Sequence, residues 1–177
     1  MKMNYLRVKC HFQKQKWEGK VSARLTNATA EQIWPLFKDF FNLHKWFPSL
    51  PTCHGIHGNN GEPGSIRYCA GFSIPSSNGD KPTVSWSKER LIAVDHVDQS
   101  LRYEIVDSNI GFKSYESTVH VVPGSGSVDG QDGCVIEWFI TVDPVDGWTI
   151  EDLMRKYEVG LQRMAKKMED EIVNFQD

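Results

Sequence analysis

The chain has 177 residues, a net charge of −3, 40% hydrophobic residues and 24% charged residues. This size corresponds to one domain whose core needs neither disulfides nor metal. The weakly acidic balance argues against a general nucleic-acid binder, which needs a basic surface. The apolar runs are only a few residues long, far short of the ~20 that span a bilayer. Six Trp, nine Phe and five Tyr indicate an unusually ring-rich interior.

The charge is uneven along the chain. Residues 1–20 carry six Lys or Arg against one Glu, which leaves an acidic remainder. Residues 1–16 lack the apolar stretch and the cleavage site of a secretory signal. A mitochondrial-type leader is an alternative, although the segment contains no Ser. We interpret residues 1–16 as a basic, disordered tail and residues 17–177 as the folded domain.

The cysteines and histidines indicate no metal site. His54 and His57 would point to opposite faces of a strand, so one ion could not be bound by both. No cysteine belongs to a CxxC pattern, and without a signal peptide they are expected to be reduced thiols of a cytoplasmic protein. The four are Cys10, Cys53, Cys69 and Cys134.

The first elements are a strand and two short helices. Residues 17–25 alternate between apolar or small and polar side chains, which is typical of a half-buried strand. Thr29 and Gln32 form a capping-box signature that begins a helix, and Pro35 should kink or shorten it. A second short helix is predicted around Leu43–Trp46.

Strands and turns dominate the middle of the chain. Turn signals and alternation predict strands near 52–58, 64–74, 82–94, 100–107, 112–122 and 134–142. The segment 123–133 is rich in Gly and Ser and predicts a long hairpin loop. Strands joined by connections this short form an antiparallel sheet.

A long helix ends the chain. Thr149 can cap it, and apolar residues repeat every three or four positions from Ile150 to Phe175. The large partner available to this stripe is the sheet, which must curl around the helix to bury one face. We therefore predict an α+β helix-grip fold, with a curved seven-stranded antiparallel sheet, two short helices and an internal cavity.

Several segments carry a family resemblance that covers about residues 17–173. They resemble the Bet v 1-like/START-like superfamily, which includes plant abscisic-acid receptors and polyketide cyclase/dehydrase-like lipid-transport proteins. Within it, they are similar to lachrymatory-factor synthases. The segments are Trp17-Glu-Gly-Lys-Val21, Lys38-Asp-Phe-Phe-Asn-Leu-His-Lys45 with Pro48-Ser-Leu50, Gly64-Ser-Ile-Arg-Tyr68, Trp86-Ser-Lys-Glu-Arg-Leu91, Glu89-Arg-Leu-Ile-Ala-Val-Asp95 and Tyr115-Glu-Ser-Thr-Val-His120.

The receptor branch of this superfamily fits less well. Abscisic-acid receptors carry a Ser-Gly-Leu-Pro-Ala gate and a His-Arg-Leu latch. At the corresponding positions this chain has Gly71-Phe-Ser-Ile-Pro-Ser-Ser77 and Asn109-Ile-Gly-Phe112. Hormone-gated phosphatase inhibition is therefore not expected, and the sequence indicates no protein partner.

The synthase resemblance implies four working residues: Arg67, Glu89, Tyr103 and Tyr115. It implies a cofactor-free rearrangement of an alkenyl sulfenic acid to a thial S-oxide, in which a proton moves from oxygen to carbon. The strand pattern is compatible with an inward Glu89, since it shares a face with Leu91 and Ala93. For Arg67 the pattern leaves two interpretations, because its small neighbours fit either a ligand site or the solvent side.

The long helix and neighbouring elements supply candidate cavity residues. Met side chains there fill core space or adapt to varied ligands, and the rings fit either a core or a cavity wall. The candidates are Phe37, Trp138, Met154, Tyr157, Leu161 and Met164.

Two functions follow as hypotheses. The first is binding of a small hydrophobic molecule in an internal cavity, without a membrane span, nucleic acid, metal or cofactor. The second is isomerisation of a sulfenic acid or similar small molecule by proton transfer through Glu89, assisted by Arg67.

The interpretation of the N-terminus is testable. Brief digestion of the native protein with trypsin should cut before Trp17, because a disordered Lys-rich segment is accessible. Mass spectrometry should then find one stable domain fragment. A tail that resists digestion as long as the domain does would contradict this interpretation.

Overall fold

The computed structural model describes residues 15–74, 83–124 and 133–174. The tail up to residue 14, the gate segment from residue 75, most of the loop 123–133 and Phe175 lie outside these ranges. The strands are β1 (Trp17–Leu25), β2 (Thr52–His57), β3 (Ile66–Ile74), β4 (Thr83–Asp95), β5 (Ser100–Ser108), β6 (Glu116–Pro123) and β7 (Cys134–Val142). The helices are α1 (Ala30–Lys38), a 3₁₀ helix (Phe40–Lys45) and α2 (Ile150–Asn174).

All seven strands form one antiparallel sheet in the order β1-β7-β6-β5-β4-β3-β2. The first two strands therefore lie at opposite edges, and α1 and the 3₁₀ helix connect them. Residues from the sheet, both short helices and α2 share one hydrophobic core. This is the predicted helix-grip fold.

The two short helices follow from local sequence. Thr29 and Gln32 form the predicted capping box, in which each side chain bonds the other residue's backbone. Pro35 has no N–H to donate within the helix, and α1 ends three residues later at Lys38. The chain then continues as a 3₁₀ helix from Phe40, slightly earlier than predicted.

Two of the strands, β6 and β4, differ from their predicted pattern. Strand β6 begins at Glu116 rather than near residue 112, because Ser114 has a φ of +51°, which interrupts extended structure. In β4, a register shift between Leu91 and Ala93 breaks the alternation. Glu89 and Leu91 are buried but Ala93 is exposed, so the prediction that all three share the inner face is wrong for Ala93.

Helix α2 covers the inner face of the sheet with its apolar stripe. The buried positions are Leu153, Gly160, Leu161, Met164, Ala165 and Met168. None of the described helices is long and apolar enough to cross a membrane.

Truncation of the stripe should measure this packing. Leu161 is fully buried, so Leu161→Ala should lower the free energy of unfolding by about 2–5 kcal/mol in urea denaturation. Val159 lies on the same helix but is exposed. Val159→Ala should therefore change the free energy of unfolding by less than about 0.5 kcal/mol. Equal effects would contradict the assignment of the stripe to the core.

Candidate functional site

A buried ion pair joins two neighbouring strands. Arg67 on β3 lies directly opposite Glu89 on β4 in the antiparallel register. The guanidinium Nε lies 2.8 Å from Oε2 of Glu89, and Nη2 lies 2.6 Å from the same oxygen. The two residues are only 3% and 9% exposed. Both side chains therefore point to the inner face of the sheet. Of the two interpretations of Arg67, the solvent side is thus wrong.

Arg67 is held by more than its carboxylate partner. Its Nη1 donates a hydrogen bond to the backbone carbonyl of Phe40, 2.9 Å away. The guanidinium also lies over the rings of Phe40 and Tyr103, 3.9 and 5.1 Å from their centroids. Burial by itself lowers the pKa of Arg67, but the charge of Glu89 outweighs it and raises that pKa above the ordinary value. Arg67 therefore stays cationic.

The carboxylate of Glu89 can accept a further hydrogen bond. A carboxylate offers about four lone-pair positions. Arg67 donates twice to Oε2, and the hydroxyl of Ser87 donates to Oε1 at 2.8 Å. These bonds account for three positions and leave about one for a donor that enters from the cavity.

The ion pair forms part of the wall of a cavity of about 60 Å³. This volume corresponds to roughly four to six water-sized groups, below the ~300–1,000 Å³ typical of drug-sized ligand pockets. The buried polar side chains of the wall are Arg67, Ser85, Ser87, Glu89 and Tyr103. The buried apolar side chains are Leu43, Phe47, Leu50, Trp138 and Leu153.

The remaining wall lies closer to the surface. Its half-buried residues are Ile105, Ile110, Phe112, Trp148, Lys156 and Tyr157. The ammonium of Lys156 lies 5.2 Å from the ring centroid of Trp148, and partial burial lowers the pKa of Lys156. This side of the cavity is therefore the more exposed one.

Three tyrosines extend the polar end of the cavity. The hydroxyl of Tyr157 on α2 donates to the hydroxyl of Tyr115 at 2.8 Å. Tyr103 and Tyr115 lie with ring centroids 6.2 Å apart. Burial raises the pKa of both Tyr103 and Tyr115. Both phenols therefore remain protonated around neutral pH and can act as hydrogen-bond donors.

The structure brings three of the four implied working residues onto the cavity wall: Arg67, Glu89 and Tyr103. Tyr115 is buried behind that wall and contacts it through Tyr157. Among the other candidates, Trp138 and Tyr157 line the cavity. The core contains Phe37, Leu161 and Met164. Met154 packs against Gly19 of β1, where an added Cβ would lie 2.1 Å from its Sδ.

Sequence reasoning missed several wall residues. Ser85 and Ser87 have the same strand parity as Glu89, and this signal could have found them. Leu43, Phe47 and Leu50 come from the 3₁₀ helix and the turn after it, where no strand or helix periodicity assigns a face. Trp148 precedes α2 and so lies outside the helical repeat that begins at Ile150.

Comparison with known protein families gives an assignment for this fold and cavity. The model of the family described as polyketide cyclase/dehydrase and lipid transport matches residues 18–169. The chain belongs to this family. It is therefore a member of the Bet v 1-like/START-like superfamily, whose members bind small hydrophobic ligands.

Two curated relatives come from Arabidopsis thaliana. MLP-like protein 423 is 32% identical over 62% of this chain and 65% of its own length. Abscisic acid receptor PYL2 is 30% identical over 71% of this chain and 62% of its own length. The chain thus aligns with slightly less than two thirds of each relative.

Solved structures share the fold over nearly the whole described chain. Major latex-like protein 151 from Panax ginseng has a TM-score of 0.65 at 18% identity, covering 88% of this chain and 97% of that one. Protein XoxI from Bacillus cereus also has a TM-score of 0.65, at 19% identity, covering 90% and 98%. At this level of identity the likeness concerns the fold alone.

The buried ion pair predicts a distinctive mutational pattern. Arg67→Met or Glu89→Leu alone should lower the free energy of unfolding by about 3–5 kcal/mol, because each leaves an unpaired buried charge. The double variant should be more stable than either single one. Denaturant unfolding of the three variants provides the measurement.

An exposed ion pair on β4 and β5 supplies the control. Arg90 and Glu104 also pair at 2.6 Å, but both side chains are substantially exposed. Arg90→Met should lower the free energy of unfolding by less than about 1 kcal/mol. If Arg67→Met lowers the free energy of unfolding no more than Arg90→Met does, the prediction that the buried pair is needed for stability is wrong.

Proposed function

We propose that the cavity binds a small molecule with an apolar body and one polar group that donates a hydrogen bond to Glu89. The observation that carries this proposal is the buried Arg67–Glu89 pair on the wall of a mostly apolar cavity. A buried pair by itself contributes little net stability compared with apolar side chains. Its position beside open space therefore favours a role in recognition.

The shape of the wall supports an orientation for this ligand. The polar group would lie between Glu89 and Tyr103, and the apolar body would contact Phe47, Leu50 and Trp138. The volume of about 60 Å³ favours ligands of a few heavy atoms. A sterol or long fatty acid would require the half-buried wall at Phe112 and Trp148 to move.

Ligand binding can be tested by thermal shift with compounds of graded size. The panel contains short alkenyl and aryl alcohols, decanoic acid, a flavonoid, and abscisic acid, because one relative is named as its receptor. A ligand at 100 times its dissociation constant should add ~2.7 kcal/mol to the free energy of unfolding. We expect the small alcohols to stabilise the protein most.

A variant of Glu89 separates specific from nonspecific binding. Glu89→Gln should weaken binding of an alcohol about tenfold or more, because a charged acceptor is lost, while the analogue without a hydroxyl should bind both proteins equally. Glu104→Gln on the exposed face of β5 is the matched control and should bind like the wild type. Equal binding of the alcohol by all three proteins would exclude the proposed orientation.

A second candidate function is an isomerase that acts on an alkenyl sulfenic acid. Two observations favour it: the remaining acceptor position on Glu89 and a cavity of the size of such a substrate. Glu89 would take the proton from the sulfenic oxygen and return a proton to the far alkene carbon. The alkene π pair would form the new C–H bond, a sulfur lone pair would form the C=S bond, and the O–H electrons would stay on oxygen, so the product thial S-oxide would have the same composition. Arg67 would stabilise the carboxylate and the developing charge on oxygen.

The isomerase proposal predicts a measurable rate. Freshly generated 1-propenyl sulfenic acid should give thial S-oxide faster with protein than in buffer, and Glu89→Gln should lower this rate about 10²–10⁴-fold. Glu104→Gln should leave it unchanged. A wild-type rate no higher than that of Glu89→Gln would refute the isomerase and leave the binding proposal intact.

A further inference from the structure

Two cysteines meet behind the polar end of the cavity. Cys53 on β2 and Cys69 on β3 are direct partners in the antiparallel register. Their sulfur atoms are 3.3 Å apart, and the two residues are only 5% and 1% exposed. Directly opposite residues of antiparallel strands have Cα atoms about 4.5–5.5 Å apart. This separation falls within the range that a disulfide bridges.

We propose that Cys53 and Cys69 form a redox-modification site, in which a peroxide closes the pair to a cross-strand disulfide. Closure requires the sulfur atoms to approach by about 1.3 Å. A change of this size fits the side-chain rotation available to two adjacent strands. The inference does not depend on which molecule the cavity binds.

The chemistry assigns different roles to the two thiols. The Cys53 thiolate attacks the peroxide, so that an S–O bond forms, the O–O bond breaks and hydroxide leaves to become water. The Cys69 sulfur then attacks the resulting sulfenic acid, an S–S bond forms, the S–O bond breaks and a second water leaves with the Cys69 proton. Two thiols and one hydrogen peroxide thus give one disulfide and two waters.

The surroundings of the pair support Cys53 as the nucleophile. The hydrogen bond from the Cys69 thiol, together with the positive charge of Arg67, lowers the pKa of Cys53 to about 7, against the opposing effects of burial and of the charge of Glu89. The same hydrogen bond and burial raise the pKa of Cys69. Around neutral pH, Cys53 therefore has substantial thiolate character, which is what peroxide reacts with.

Two residues of the cavity wall adjoin the thiol pair, although neither cysteine is itself part of that wall. The backbone of Leu43 donates a hydrogen bond to the Cys53 sulfur, and Arg67 is two residues from Cys69 on the same face of β3. Both Leu43 and Arg67 line the cavity. Hydrogen peroxide is small enough to enter a space of about 60 Å³, whereas a protein oxidant could not reach sulfurs that are this deeply buried.

Another buried thiol in the structure provides a matched control. Cys134 on β7 is 1% exposed, and burial raises its pKa to about 11. It is as inaccessible as Cys69 but has little thiolate character at neutral pH. Cys134→Ser should therefore leave peroxide-driven closure of the Cys53–Cys69 pair unchanged.

The experiment treats the native full-length protein with hydrogen peroxide and follows its intact mass and its disulfide-linked peptides. We expect a loss of about 2 Da, mapped to a Cys53–Cys69 link and reversed by dithiothreitol. The rate should rise with pH up to about 7 and then level off, because the Cys53 thiolate fraction saturates above its pKa. Cys69→Ser should accumulate a sulfenic acid at Cys53 that dimedone traps.

Three outcomes would overturn the proposal. One is that both thiols stay free in the native protein under peroxide. Another is that the link forms only after urea unfolding, which would mean that the buried pair is not reached in the fold. The third concerns Cys53→Ser, in which peroxide should oxidise Cys69 at least about tenfold more slowly than it oxidises the wild-type pair. Equal rates would contradict the role of Cys53 as the nucleophile.

Discussion

The Arg67–Glu89 ion pair is the interaction on which the centre of this molecule depends. Two opposite charges are buried on adjacent strands, and removing either partner would leave the other without compensation. This requirement favours one register of β3 against β4, in which Arg67 and Glu89 are opposite. It also directs the Arg67 guanidinium toward the 3₁₀ helix, where the Phe40 carbonyl and ring are in contact with it.

The position of the 3₁₀ helix in turn shapes the cavity. Arg67 bonds the carbonyl of Phe40 at the start of the 3₁₀ helix, and the turn after this helix supplies Phe47 and Leu50 to the cavity wall. Trp138 of β7 and Leu153 of α2 close the space from the other side. The cavity thus has a polar end, formed by the charged pair, and an otherwise apolar wall of aromatic and aliphatic side chains.

Members of this family share a helix-grip fold and bind small hydrophobic ligands. In this chain the chemical character of the cavity comes from a few side chains at its end. Glu89 accepts hydrogen bonds, Tyr103 carries a protonated hydroxyl, and Cys69 of the thiol pair is two residues from Arg67 on β3. Binding, proton transfer and thiol oxidation would therefore all concern the same small region.

Much of the architecture follows from the sequence itself, because local periodicity determines it: the alternation in β1, the capping box at Thr29 and the stripe of α2 each identify their element. The resemblance to known proteins implied Arg67, Glu89, Tyr103 and Tyr115 as working residues, and the fold places the first three on the cavity wall. Only the tertiary structure decided the rest. The bulge after Leu91, the start of β6 at Glu116 and the wall supplied by Leu43, Phe47 and Leu50 depend on contacts between distant segments. So does the contact between Cys53 and Cys69, since strand register brings together residues that no local pattern connects.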